Sequence, residues 1–236
     1  MKKKWNILLL MALTGFTDMA LSRSITGQII INQTYSSGSS DAIRGNGHVT
    51  TTKRVLGDFN KLSINTLLDI EYYASENNWL ELTADDNLIP IITSIIDGDT
   101  LLIDADQSYS TQNKIHAKIY GPSALSKVTA DGSSDVKLQG ITANLLEIDL
   151  SGASNITAEG KVKSLVIKKR GTSDANTKEL SADNVTIMTK GAGDAIVTVN
   201  KKLDVTINGI SNITYFGHPD SINKIIDGIG KVSAGD

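Results

Sequence analysis

The C-terminal half of the chain repeats one short glycine-centred pattern six times. The glycines lie 18 to 20 residues apart, and they are Gly132, Gly152, Gly171, Gly191, Gly209 and Gly228. Three residues after each of the first five glycines stands an Asp or an Asn, and after the sixth stands Lys231. A period this regular is typical of a stacked repeat architecture, in which each copy packs on its neighbours.

Apolar residues occupy even offsets from each glycine, which is the two-residue period of a strand with one buried face. The same parity predicts that the glycines face inward, together with the small residues two positions later, such as Ser134 and Ser154. A repeat of about 19 residues is too short for a strand–helix–strand unit, which needs roughly 30. The sequence therefore predicts an all-β fold, a parallel β-helix (β-solenoid), and the preference for right-handed crossovers predicts a right-handed one.

The 236 residues divide into four predicted segments: a signal peptide (1–22), a flexible lead (23–44), a β-rich N-terminal half (45–113) and a C-terminal β-helix of six coils (114–236), on which the N-terminal half stacks. The signal is indicated by Lys2–Lys4, the apolar run Ile7–Phe16 and small residues at the cleavage position. The lead is polar and rich in Ser and Gly.

The chain has no cysteine, so it has neither disulfides nor a lipid-modified cysteine. The apolar run of the signal is too short to span a bilayer, so we expect membrane association only through a partner. We expect the mature protein in the periplasm, on the outer-membrane surface or outside the cell. A net charge of −3 does not indicate a nucleic-acid partner.

The N-terminal half carries short motifs whose order and spacing resemble a known family, the exported "putative adhesin" proteins with a head GIN domain in Bacteroidetes. The matching residues are Gly45–Gly47, Arg54, Phe59–Leu62, Asp69–Ile70, Ala84–Leu88, Ile92–Thr93, Asp97–Gly98, Leu101, Ile103, Gly121–Pro122 and Leu125, followed by the repeated glycines. The resemblance implies a β-helix of pectate-lyase-like shape without recognised catalytic residues. Where the family tends to have a glycine turn, this chain has Ala74–Asn78, so we expect that hairpin to be built differently.

The Asp and Asn residues after the glycines form an outward ladder whose stacked carboxylates would repel one another. Asp135, Asp174 and Asp194 are therefore weak candidates for calcium ligands. Turn residues that cap the local backbone are the favoured interpretation, and no cofactor is predicted.

A second candidate is a basic ligand surface for an anionic glycan, formed by Lys161, Lys163, Lys168, Lys169 and Arg170. A solvated face is the more common meaning of such a run. Tyr72, Tyr73, Trp79 and Tyr215 are the aromatic residues that could stack on a sugar, although strand alternation places only one of Tyr72 and Tyr73 outside.

No catalytic residue is predicted. The repeated Gly-x-Ser triplets lack the second glycine of a nucleophile elbow, and the three histidines have no metal-ligand spacing. The sequence favours an exported, non-enzymatic β-helical protein, a cell-surface adhesin or envelope scaffold that binds glycans or cell-surface components. Two alternatives stay open: a polysaccharide lyase or hydrolase on the same scaffold, and a homo-oligomer formed through the solenoid ends.

Overall fold

A computed structural model describes residues 42–235, so the predicted signal peptide and all but the last three residues of the predicted lead lie outside the described residues. The described part is all-β. Its strands are β1 (Ile43–Arg44), β2 (Val49–Val55), β3 (Lys61–Ile64), β4 (Asp69–Ala74), β5 (Trp79–Asp85), β6 (Ile92–Asp97), β7 (Thr100–Ala105), β8 (Tyr109–Ser110), β9 (His116–Gly121), β10 (Lys127–Ala130), β11 (Asp135–Leu150), β12 (Asn155–Thr172), β13 (Ala175–Ala192), β14 (Ala195–Ile210), β15 (Ile213–Phe216), β16 (Ser221–Ile226) and β17 (Val232–Ala234). Within this part no helix is long and apolar enough to cross a membrane.

The repeats form a β-solenoid of about five turns, which agrees with five intervals between six glycines. Strands β10 to β14 pair in parallel, each with the next, and the repeat period sets their register. The apolar residue six positions before the glycine pairs with its equivalent on the next coil, as in Leu146–Leu165–Val185–Leu203–Ile222. The predicted all-β solenoid is confirmed.

The three predicted apolar columns form the core of the solenoid. Leu146, Ile148 and Val136, one from each column, are at most 2% exposed. The serines two residues after the glycines, Ser134 and Ser154 among them, are also buried. The columns become exposed only in the last coil, where Ile222 is 38% exposed.

The prediction that the repeated glycines face inward is wrong. Gly132, Gly152 and Gly171 are exposed. The reason for glycine is the turn: φ is +78° at Gly152 and +87° at Gly171, a region that L-residues with a side chain avoid. A Cβ on Gly152 would also overlap the carbonyl oxygen of Gly132 on the preceding coil. The close approach is therefore between successive coils along the axis, and not across the core.

Strands β2 to β7 of the N-terminal half belong to the same fifteen-stranded sheet, whereas β1 and β8 form a separate parallel pair. Strands β3 and β4 continue the solenoid, because β3 pairs in parallel with β10 and β4 with β11. Beyond them, β5 and β2 add antiparallel strands next to β9, and β6 folds back on β7. The expected hairpin after β4 is not formed, because β9 lies between β4 and β5 and pairs with both.

Candidate functional site

One outer face of the N-terminal half carries a row of alternating charges. Strand pairing places Lys53 opposite Glu81, Glu81 opposite Lys118, Lys118 opposite Glu71 and Glu71 opposite Lys137. The row therefore crosses strands β2, β5, β9, β4 and β11 in that order. Opposite charges on neighbouring strands attract, but exposed pairs of this kind contribute little to stability individually. The charges of the row largely cancel, which leaves an excess of one lysine.

Beside this row, two residues further along each strand, lies an aromatic stack. The rings of Trp79 and Tyr120 are 3.8 Å apart between centroids and 8° from parallel, and Tyr73 stacks on Tyr120 at 5.2 Å. The ammonium of Lys53 lies 3.6 Å from the centroid of the Trp79 ring. Tyr72 points the opposite way, is fully buried and donates its hydroxyl to the Pro122 carbonyl at 2.8 Å. The expectation that only one of Tyr72 and Tyr73 lies outside is confirmed.

The stack limits what these rings can bind. Because Tyr120 covers one face of Trp79 and Lys53 covers the other, Trp79 presents only its edge to solvent. Sugars stack on ring faces, so Trp79 and Tyr120 stabilise the antiparallel extension of the sheet instead of forming a sugar platform.

On the other side of the charge row, the face has a groove of about 270 Å³ that runs along the solenoid axis; we call it the axial groove. It crosses β9, β4, β11 and β12, a distance of about 14 Å at the inter-strand spacing. Polar side chains form both walls: His116, Asp69, Asp135 and Asn155 on one side, Glu71, Lys137 and Thr157 on the other. The groove is thus lined by donors and acceptors at each rung.

The carboxylates of the axial groove are held in place by neighbouring side chains. Glu71 accepts a 2.7 Å hydrogen bond from the Tyr73 hydroxyl, and this bond, followed by the charges of His116, Lys118 and Lys137, lowers the pKa of Glu71. The same bond raises the pKa of Tyr73 to about 12. Asp69 pairs with Lys114 at 3.0 Å, and Asp135 accepts the Asn155 side-chain amide at 3.0 Å. Each carboxylate can accept further hydrogen bonds, because an ionised carboxylate has about four acceptor positions.

The predicted basic surface is not assembled as expected. Lys169 is 2% exposed and lies inside the solenoid, so it is not part of that surface. Lys168 pairs with Glu147 at 2.9 Å and Arg170 pairs with Asp149 at 2.7 Å, both acids on the preceding coil. Lys161 and Lys163 remain exposed. The patch therefore offers less free positive charge than the sequence indicates.

The ammonium of Lys169 is bound by backbone carbonyls. It donates to Gly193 at 2.8 Å and to Asp194 at 2.6 Å, both on the next coil. Burial lowers the pKa of Lys169 to about 8, although the carboxylates of Asp174 and Asp194 act in the opposite direction. Glycine replaces the usual serine at position 193, so the Lys169 contact coincides with another departure from the repeat.

The ladder that includes the calcium candidates Asp135, Asp174 and Asp194 links successive coils. Asp174 accepts the backbone N–H of Asp194 at 2.7 Å, and Asp194 accepts that of Asn212 at 2.8 Å. Among residues 42–235 no group of three or more potential ligand side chains is placed to hold a metal ion. The geometry thus favours a capping role for Asp174 and Asp194, each of which caps the backbone of the next coil instead of its own turn.

A polysaccharide-cleaving enzyme would need a general acid among the carboxyl groups of the protein. A general acid of such an enzyme usually has a raised carboxyl pKa, produced by burial or a second carboxylate. In the described range, the carboxyl groups whose pKa is shifted all have it lowered, and they are Glu71, Asp85, Asp99, Glu147, Asp183 and Asp204. Hydrogen bonds and neighbouring cations keep them ionised.

Comparison with known proteins gives one family match. The family model described as "Putative auto-transporter adhesin, head GIN domain" matches residues 58–219, more than half of the chain. No curated protein sequence matches the chain.

Several solved structures share the fold. A putative adhesin from Bacteroides fragilis has a TM-score of 0.63 at 21% identity and covers 82% of this chain and 100% of its own. A putative adhesin from Parabacteroides merdae has a TM-score of 0.52 at 22% identity, with coverages of 84% and 100%. A protein named a putative lipid binding protein, from Parabacteroides distasonis, has a TM-score of 0.55 at 19% identity, with coverages of 83% and 100%. At these identities the likeness concerns the fold.

Proposed function

Because the chain belongs to the head GIN domain family of auto-transporter adhesin-like proteins, we propose that it is an exported, non-enzymatic binding module of the cell envelope that holds a glycan in the axial groove. The export signal expected in residues 1–22 supports placement beyond the inner membrane. The family description supports adhesion as the biological role.

The observation that carries the proposal is the composition of the axial groove. Glycans are recognised through many hydroxyl groups, each of which both donates and accepts a hydrogen bond. The groove places carboxylate acceptors (Asp69, Glu71, Asp135), an amide (Asn155) and an ammonium donor (Lys137) along two parallel walls. Acids outnumber bases among these wall residues, which disfavours an anionic polysaccharide and favours a neutral one.

The test is a glycan-array screen of the mature protein, followed by calorimetry on the neutral oligosaccharides that bind. Thr157→Trp fills the groove without changing a charge, and Thr157 is exposed, so the fold has room for the indole. We expect at least a tenfold loss of affinity. Thr50→Trp, which also replaces an exposed threonine but lies outside the groove, is the matched control and should bind like the wild type.

Equal affinity of the Thr157→Trp variant and the wild type would place the glycan elsewhere. Binding confined to anionic glycans, with strong salt dependence, would contradict the neutral-ligand proposal. Release of new reducing ends or unsaturated sugars during incubation would contradict the non-enzymatic role and support the polysaccharide-cleaving alternative.

A further inference from the structure

Within residues 42–235, no strand pairs with the outer side of β16, so the C-terminal end of the solenoid is an open edge. All six residues of β16 are exposed, including Ile222 and Ile226, which lie opposite the buried Leu203 and Ile207 of β14. Ile225, on the outer face of the same strand, is 66% exposed. At the other end of the described structure the outermost strands are antiparallel instead, since β2 pairs with β5 and β6 pairs with β7.

The unpaired backbone groups of β16 point along the axis. Asp227 donates its N–H to the Ile207 carbonyl at 2.8 Å, so odd-numbered residues of this segment bond to β14. Since successive N–H and C=O groups of a strand alternate in direction, those of Ile222, Lys224 and Ile226 face the open edge. An edge of this kind is a template for another strand.

We propose that the open edge pairs with the same edge of a second copy of the chain, so that two β16 strands run antiparallel across a two-fold axis at Ile225. A second copy suits this edge because β16 is the outermost strand at this end of the solenoid, where β16 of another copy can reach it. In this register, Lys224 of one copy faces Ile226 of the other, and their outward-pointing N–H and C=O groups bond to each other. The two-fold symmetry produces a second, identical pair.

Side-chain complementarity selects the register. Pairing centred on Lys224 would place two ammonium groups opposite each other, which is unfavourable. Pairing centred on Ile225 joins two exposed isoleucines and brings Asn223 opposite Asp227 of the partner copy. One amide hydrogen of Asn223 already bonds to Asp204 at 2.9 Å, and the other is available to that carboxylate.

Disulfide trapping tests the proposal directly, because the natural chain has no cysteine. In an antiparallel pair without mutual hydrogen bonds, facing Cα atoms lie about 4.5 Å apart, close enough for a disulfide. Ile225→Cys should therefore give a covalent dimer under mild oxidation. Asn223→Cys is the matched control; its two copies would lie about four residues apart along the strands and should not link.

Light scattering over a concentration series provides a second measurement. The wild-type protein should reach twice the monomer mass, and Ile225→Asp, which sets two carboxylates on the axis, should weaken dimerisation at least tenfold. A wild-type protein that stays monomeric at about millimolar concentration, a dimer unaffected by Ile225→Asp, or cross-linking of Asn223→Cys in place of Ile225→Cys would each overturn the proposal.

Discussion

Replacement of the buried Lys169 by leucine should remove a pH-dependent part of the stability. Leucine is the residue at the equivalent position one coil earlier, Leu150, so the column accepts its shape. In the wild type, burial lowers the pKa of Lys169 from 10.5 to about 8. The unfolded chain keeps the ordinary value, so between pH 8 and 10.5 it binds more protons than the folded chain, and the free energy of unfolding rises with pH.

The magnitude follows from the two pKa values. A difference of about 2.5 units corresponds to a penalty of about 3 kcal/mol for the protonated, folded form near pH 7. Integration from pH 7 to 9.5 gives a gain of about 2 kcal/mol in the free energy of unfolding. The hydrogen bonds to Gly193 and Asp194 are lost in Lys169→Leu, which leaves the Asp194 carbonyl in particular without its 2.6 Å donor. That loss offsets part of the gain from removing the ammonium.

The measurement is urea unfolding of the wild type and Lys169→Leu at pH 7.0 and 9.5, with Lys163→Leu as an exposed control. Between pH 7.0 and 9.5, the free energy of unfolding of the wild type and of the control should rise by about 2 kcal/mol relative to that of Lys169→Leu. Tyrosines with raised pKa, such as Tyr73, affect stability mainly above pH 10 and are common to all three proteins. Parallel pH dependence of the wild type and Lys169→Leu would refute the reasoning.

Two further predictions concern the glycine turns and the buried carboxylate of Asp85. Gly132→Ala, at φ +110° with open space around its Cβ, should lower the free energy of unfolding by about 1–3 kcal/mol because of backbone strain. Gly152→Ala should lower it more, because its methyl group also meets the Gly132 carbonyl. Equal losses in urea titrations of the two variants would contradict this. Asp85 accepts hydrogen bonds from Thr111 and Asn113, both at 2.6 Å, and these bonds lower the pKa of Asp85. The Asp85 carboxylate therefore stabilises the fold at pH values above the ordinary carboxyl pKa, and this contribution is lost as the pH falls through the lowered pKa. Asp85→Asn should have a lower melting temperature than the wild type at pH 6, and the difference should shrink at pH 3. Equal melting temperatures at pH 6 would count against this role.

The core of the solenoid could be predicted because its signal is local. Alternation along a strand assigns a side chain to one face, and the repeat period stacks equivalent residues without knowledge of their contacts. The prediction for the glycines is wrong because alternation does not continue through a turn, where a positive φ changes the direction of the chain. For Lys169 two sequence signals disagree. The run of neighbouring basic residues predicts a surface, whereas its position two residues before Gly171 has the parity of the buried apolar columns. The offset was the better guide because strand geometry sets which face a residue occupies.

The axial groove could not be predicted in the same way, because no segment of the sequence contains it. Its walls join His116, Glu71 and Lys137, which are ordinary strand residues in their own segments. They meet because β4 lies between β9 and β11, a pairing that depends on the chain returning to the sheet after β5 and the β6–β7 hairpin. The C-terminal coils need no such returns, since each strand pairs with its equivalent about 19 residues later. The axial groove begins at the junction between these two parts of the fold, where strands from distant segments become neighbours.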